Sequence, residues 1–169
     1  GQLAIGDTLA EDPAVVYDEI PAFAPECFAY IESTSTAEAK RFRNGLAQLL
    51  QEGVAQGFDL PELNGRMRLL GAAGPLQFDV MQYRLEAEYG AHTRWTFASW
   101  KQARWLRPGT ADEQLVLPSG TQLAHDGAGA RVLLFSDDWT RGYFQEKNPD
   151  VELSKYPFNA PFTSSAAAR

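Results

Sequence analysis

The side chains best suited to nucleophilic or metal chemistry are few: one cysteine, Cys27, and two histidines, His92 and His125. They fall in three separate segments. A zinc site needs several Cys or His ligands at short, characteristic spacings, and no such spacing is present. A Cys–His nucleophile–base pair needs hydrogen-bond contact, and no sequence feature places Cys27 beside either histidine. Asp79 with Glu86, or Glu86 with Glu88, could serve as paired carboxylates for acid–base work. Helical spacing puts Asp79 and Glu86 on a solvated face, which reads more simply as surface. Nucleotide hydrolysis by a P-loop is excluded, because no G-x-x-x-x-G-K-[ST] motif and no Gly-Lys pair occurs.

One turn remains. "LLGAAGPLQFDVMQYRLEAEYG" (Leu69–Gly90) holds Gly71 and Gly74 as G-x-x-G ahead of a helix. Such a turn can cradle phosphate, grip RNA or pack closely against a neighbour. Both middle positions are Ala where a phosphate clamp favours basic residues, and Pro75 removes an N–H from the helix start. Spacing alone therefore favours packing, with phosphate contact as the alternative. A positive φ or a close turn at Gly74 would make Gly74→Val disruptive. Basic side chains gather in three places: Lys40, Arg41 and Arg43; Arg66 and Arg68; and Lys101, Arg104 and Arg107 near Trp100 and Trp105. Each set is a candidate anion contact or an ordinary solvated surface.

The elements that must position these residues can be read from periodicity. "PAFAPECFAYIEST" from Pro21 alternates Phe28 and Tyr30 against Ala29 and Ile31, a strand entered through two prolines, which suits either an edge strand or proline at the first residue of a strand. Ser35 and Glu38 have capping-box spacing ahead of Ala39, Phe42, Leu46 and Leu49 at helical spacing, with Gly53 as the stop. Gly45 inside that helix costs about 1 kcal/mol relative to Ala, which close approach to another backbone would offset. "VAQGFDL" (Val54–Leu60) and "RMRLLGA" (Arg66–Ala72) follow as strands, the second with one wet face. The second helix starts near Pro75 and ends at Gly90. Leu76, Val80, Tyr83 and Ala87 form one of its rows, with Phe78, Met81 and Leu85 beside it; Leu76 and Phe78 are expected to be buried under the sheet.

Further along, "HTRWTFASW" (His92–Trp100) alternates as a strand and "ARVLLF" (Ala130–Phe135) reads as a buried one. "SDDWTRGYFQEKN" is a short helix with acids in its first turn and Lys147 in its last, and "DVELS" (Asp150–Ser154) is a final strand candidate. Thr110 to Leu117 is ambiguous. The order strand–helix–strand–strand–helix–strand from Phe23 to Ala98 predicts an α+β, split βαβ (ferredoxin-like) fold with a C-terminal β/α extension.

The 169 residues suffice for one ordinary domain, and a hydrophobic content of 44% supports a sizeable core. No run approaches the roughly 20 apolar residues of a membrane helix. A lone cysteine suits a reducing cytoplasm. The net charge of −7 opposes general electrostatic binding to nucleic acid, so any RNA contact must be a local patch or the partner must be largely protein. A chain that begins at Gly1 rather than Met is expected to be a piece of a longer polypeptide.

The stretch Leu69–Gly90 also resembles the segment G-A-V-G-x-L-Q-F-D-V…R-L-x-x-E-Y of the bacterial peptide chain release factor 3 family, which is related to the G-E-L-H-L-E-V segment of elongation factor G domain III. "IPAFAPECF" (Ile20–Phe28) is similar to that family's I-P-x-F-A-P-E-x-F, and "GLAQLLQEGVAQGF" (Gly45–Phe58) resembles G-L-x-Q-L-x-E-E-G-x-x-Q-x-F. "IGDTL" (Ile5–Leu9) looks like the end of a β-barrel domain of translational GTPases; "ARWL" and "LAHDGAGARVLLF" match more loosely. Departures occur at "ESTSTAEAKR", at the two alanines between Gly71 and Gly74, across Ala111–Gly120 and in the final tail.

The resemblance implies a division into residues 1–20 as the end of the barrel, 21–157 as the C-terminal α+β domain and 158–169 as a loose tail. It implies the C-terminal domain of a cytoplasmic, ribosome-dependent GTPase of translation termination that helps class I release factors leave the ribosome. GTP or GDP with Mg would bind in the N-terminal domain of the parent, and the fragment would hold no cofactor and no catalytic site. Its partners would be the small ribosomal subunit (protein and ribosomal RNA), the parent's own GTPase domain and, indirectly, class I factors, without membrane or DNA. Within the motif, Gln77 is the polar residue expected to reach a neighbour. Two alternatives stand: the matching domain of a translocase-like GTPase, against which L-Q-F-D-V and F-A-P-E argue, and an unrelated small α+β ligand-binding or hydrolase domain.

Overall fold

A computed structural model describes residues 10–12, 23–63, 67–111 and 115–158. The expected barrel end and most of the tail lie outside these residues. The described elements are β1 (Cys27–Ser33), α1 (Ala39–Gln51), β2 (Gln56–Asp59), β3 (Arg68–Ala72), α2 (Leu76–Tyr89), β4 (Thr93–Phe97), β5 (Gln102–Leu106), β6 (Thr121–Asp126), β7 (Arg131–Phe135), α3 (Asp138–Lys147) and β8 (Leu153–Ser154). The strands form one sheet in the order β4-β1-β3-β2-β6-β7-β5-β8, with every neighbouring pair antiparallel. Its first four strands with α1 and α2 are the split βαβ unit; the rest is the β/α extension, joined to it through Phe58 opposite Asp126 and Asp59 opposite His125.

Alternation along the strands builds three cores from this single sheet. Ala29 and Ile31 of β1, with Leu70 and Ala72 of β3, face α1 and α2 and pack on Phe42, Leu46, Leu49, Phe78, Met81 and Leu85. The opposite face carries Phe28 and Leu69, which meet Ala103 and Trp105 of β5 and Val132 and Leu134 of β7. The extension thus covers the sheet face that the first two helices leave open. Leu133 and Phe135 then point away toward Phe144 of α3. This explains the unbroken apolar run in β7, where Val132–Phe135 are all fully buried and each face serves a different core.

Several sequence expectations are corrected here. β1 lies inside the sheet between β4 and β3, because its prolines precede the strand and leave its donors free. β3 has no wet face over Leu69–Ala72: Leu70 and Ala72, on the Arg68 side expected to be wet, pack under α1 and α2, and Leu69 on the other side is covered by the extension. The capping box does not form: Thr36–Glu38 is a single 3₁₀ turn, Ser35 makes no side-chain cap, and Glu38 instead accepts the His92 N–H at 2.8 Å. Gly45 makes room for a side chain rather than a backbone, as a Cβ there would lie 2.6 Å from Tyr89 Cγ. β6 was not expected from the sequence, and "DVELS" yields only the two residues of β8.

The cap that does form is on α3, where the Thr140 N–H donates to Asp137 Oδ1 at 2.7 Å. That bond and the Ser136 and Thr140 hydroxyls hold the Asp137 carboxyl below its ordinary value of 3.8. A depressed folded-state value gives stability that is present above the unfolded value and lost as pH falls through the folded one. Asp137→Ala is therefore expected to lower the melting temperature at neutral pH, with the deficit shrinking below about pH 4, whereas Asp137→Asn keeps most of the cap. Thermal unfolding followed across pH checks this; a deficit that does not change with pH would contradict it.

Candidate functional site

The G-x-x-G turn joins β3 to α2, and its two glycines do different things. Gly71 sits in β3 opposite Phe28 and Gln56. A Cβ there would lie 2.8 Å from both Phe58 Cε2 and Pro25 Cβ and 3.0 Å from Phe28 Cε1. Gly74 has open space around its α-carbon and is not among the positive-φ glycines. Three of the backbone donors at the turn and helix start are already used within the fold. The Gly74 N–H donates to Gln77 Oε1 at 3.0 Å, the Gln77 N–H to the Gly74 carbonyl and the Phe78 N–H to the Pro75 carbonyl. The contacts the turn makes lie within the fold, and Gln77 folds back so that its Oε1 caps the Gly74 N–H. Phe78 is buried as expected, but Leu76 is 70% exposed, because α2 turns its Phe78–Met81–Leu85 side to the sheet and the other row away.

The basic residues are not equivalent. Lys40, Arg41 and Arg43 are all exposed on α1, on the side away from Phe42, Leu46 and Leu49, and Arg41 makes a loose 3.7 Å ion pair with Glu38. Arg68 pairs with Asp59 at 3.2 Å, and Arg66 lies outside the described residues. In the third set, Lys101 is exposed. Arg104 is half-buried beside Arg141, with Nη1 donating to the Ala103 carbonyl, and burial pushes its pKa down. Arg107 is held by both oxygens of Glu152 and lies 5.1 Å from the centre of the Phe158 ring. The third set is therefore dispersed, and the first is an open cationic surface.

The groups considered for catalysis are placed apart or engaged. Cys27 packs beside the first core, His92 is exposed on Glu38, and His125 is paired in β6 with Arg131 of β7. Among the described residues, no group of three or more His, Cys, Asp or Glu side chains could hold a metal. Glu88 is gripped by Arg84 through two bonds, and Arg84 also reaches Glu52 across to α1; these contacts hold both carboxyls below the usual range. A shallow groove of about 350 Å³ opens where the two halves meet, between Leu50, Gly57, Arg68, Trp105, Asp126 and Tyr156. Its charged groups are engaged within the fold: Arg68 Nη2 donates to Asp59, though the buried Arg68 Nε has no hydrogen-bond partner, and Asp126 accepts from the Trp105 indole and the Ala128 and Ala130 N–H groups.

Two exposed aromatic or apolar features are not apparent from the sequence. Trp139 and Tyr143 stack on α3 with Lys147 over the second ring. Leu76, Val80 and Tyr83 line the outer side of α2, and Phe97 stands exposed at its N-terminal end against Phe78. The signal for the second is visible as a second apolar row, but periodicity cannot say which of two rows is inside.

Fold and surfaces together define an α+β module with a split βαβ unit, whose distinctive chemistry lies on open faces. Comparison with known proteins narrows this. A family model described as "Class II release factor RF3, C-terminal domain" matches residues 17–145. Peptide chain release factor 3 of Acaryochloris marina is 36% identical over 155 residues, covering 91% of this chain and 29% of that protein. The protein of the same name from Synechocystis sp. is 39% identical over 155 residues (91% and 28%), and that of Enterococcus faecalis 38% over 156 residues (90% and 29%). The chain belongs to the class II release factor family and corresponds to its C-terminal domain. It spans less than a third of the length of these relatives.

The two glycines of the turn should respond oppositely to substitution, which corrects the expectation that Gly74 is the sensitive one. Gly71→Val must displace Phe58, Pro25 or Phe28 and should cost about 1–3 kcal/mol or more. Gly74→Val should change stability by only about 0.5 kcal/mol. Urea denaturation of both variants checks this, and equal losses would contradict the geometry.

Proposed function

We propose that this chain is the ribosome-interaction domain of a translation-termination GTPase, and that its parent promotes dissociation of class I release factors from the ribosome. The observation that carries this reading is the match to proteins named peptide chain release factor 3 over nine-tenths of the chain. GTP or GDP with Mg then binds in the part of the parent that precedes this domain. The domain's role is to carry nucleotide state to ribosome contact, from the cytoplasm, through the small subunit and its own GTPase domain. The match to the class II release factor model also favours termination over the translocase alternative.

The surface best suited to ribosomal RNA is α1, where Lys40, Arg41 and Arg43 stand exposed. Phosphate contacts favour cations not tightly held by carboxylates, because a paired arginine must exchange that partner and gains little; the Arg41–Glu38 pair is loose at 3.7 Å. Lys101 is a second candidate on these grounds. Arg107, held by Glu152, and the half-buried Arg104 contribute less.

Charge reversal at Arg41→Glu with Arg43→Glu in the full-length parent should weaken co-sedimentation with ribosomes. The slope of log affinity against log salt should become shallower by about one for each phosphate that is no longer neutralised. Unchanged binding and unchanged slope would remove α1 from the interface.

A further inference from the structure

The outer face of α2 combines two properties that its fold does not use. Leu76, Val80, Tyr83 and Ala87 recur at helical spacing along one line, opposite the buried Phe78–Met81–Leu85 side. The first three are 70, 44 and 71% exposed. A continuous apolar line in water is unfavourable by roughly 25 cal/mol per Å² left uncovered, and such patches mark contact sites. α2 is consequently apolar on two opposite sides, whereas α1, which covers the same sheet face, is apolar on one and polar on the other.

The net charge beside the line is negative. Asp79 and Glu86 flank it on one side, both exposed. The only cation in α2 is Arg84, and it is neutralised by Glu88 of the same helix and Glu52 at the end of α1. This arrangement selects among occupants. An RNA backbone would bring phosphates against Asp79, Glu86 and Glu88, so nucleic acid is disfavoured here, in contrast to α1. A second copy meeting the same face isologously would set Asp79 and Glu86 against their own equivalents, in a chain of net charge −7. A polypeptide with apolar side chains along its contact edge and lysine or arginine beside them satisfies both halves of the surface.

We propose that the Leu76–Val80–Tyr83 line of α2 is a docking surface for a basic, apolar-edged segment of another protein. Tyr83 is its anchor: it is large, central to the line and can keep its hydroxyl at the wet rim. Asp79 and Glu86 set orientation and exclude acidic partners. The domain then has two interaction faces of opposite chemistry, the basic side of α1 for phosphate and the acidic–apolar side of α2 for protein.

The test places a photo-reactive benzoylphenylalanine at position 83 of the full-length parent and irradiates it with purified ribosomes and, separately, alone. The expected adduct is to a net-positive peptide of a different protein, identified by mass spectrometry, and it disappears in a Leu76→Ser, Val80→Ser background that still melts as wild type. An adduct to RNA, to a second copy or to the parent's own chain would overturn the proposal. So would no adduct while the parent still co-sediments. Failure of the parent to co-sediment at all would instead overturn the ribosome reading above. The docking face is then decided by titrating this chain with a synthetic leucine–lysine amphipathic peptide. Tyr83→Ser should weaken that binding by about tenfold, equivalent to 1.4 kcal/mol; an unchanged affinity overturns the proposal.

Discussion

Everything in this fold depends on Phe58 being buried from both halves at once. It lies in β2, the strand through which the split βαβ unit pairs with the extension, and it is completely buried. Its ring is 5.9 Å from that of Phe28 and 6.3 Å from that of Trp105, so one side chain links the first strand of one half to the β5 strand of the other. Gly71 is glycine because a β-carbon would occupy the space that Phe58 and Phe28 require. Trp105 in turn donates its indole N–H to Asp126 at 2.8 Å, which fixes the turn between β6 and β7. Removing an aromatic of this kind from a packed interior costs about 3–5 kcal/mol, a large share of the 5–15 kcal/mol that stabilises a typical domain.

That central contact also explains what the sequence could and could not reveal. The split βαβ unit was legible because its signals are local: alternation in β1, amphipathic spacing in α1, Pro75 and Gly90 bounding α2. The extension was less so. β6 reads Thr-Gln-Leu-Ala-His-Asp, with little alternation to notice, and becomes a strand because β2 and β7 supply partners on both sides. β3 looked half-wet because its Arg68 side begins charged, yet Leu70 and Ala72 on that side are packed by α1 and α2, while Leu69 on the other is covered by strands far along the chain, β5 and β7. Glu38 shows a local pattern overridden by a distant one: its capping-box spacing is real, but the His92 N–H claims its carboxylate.

The candidate contacts were legible as residue types and not as surfaces. Lys40, Arg41 and Arg43 turn out to be one open face, whereas Lys101, Arg104 and Arg107, equally basic in sequence, divide into an exposed lysine, a half-buried arginine and an ion pair. Burial and pairing decide which cations remain available, and neither is encoded in spacing. Conversely, the apolar–acidic outer side of α2 was hidden in a helix whose two rows look alike until the sheet selects one.

The most direct measurement compares ribosome-stimulated GTP hydrolysis by the full-length parent with that of the parent lacking residues 23–158. If this domain carries nucleotide state to ribosome contact, the intact protein hydrolyses GTP faster with ribosomes, and the truncated protein still binds nucleotide but is not stimulated. Equal stimulation of both proteins, or no GTP hydrolysis by the intact parent, would contradict the assigned role.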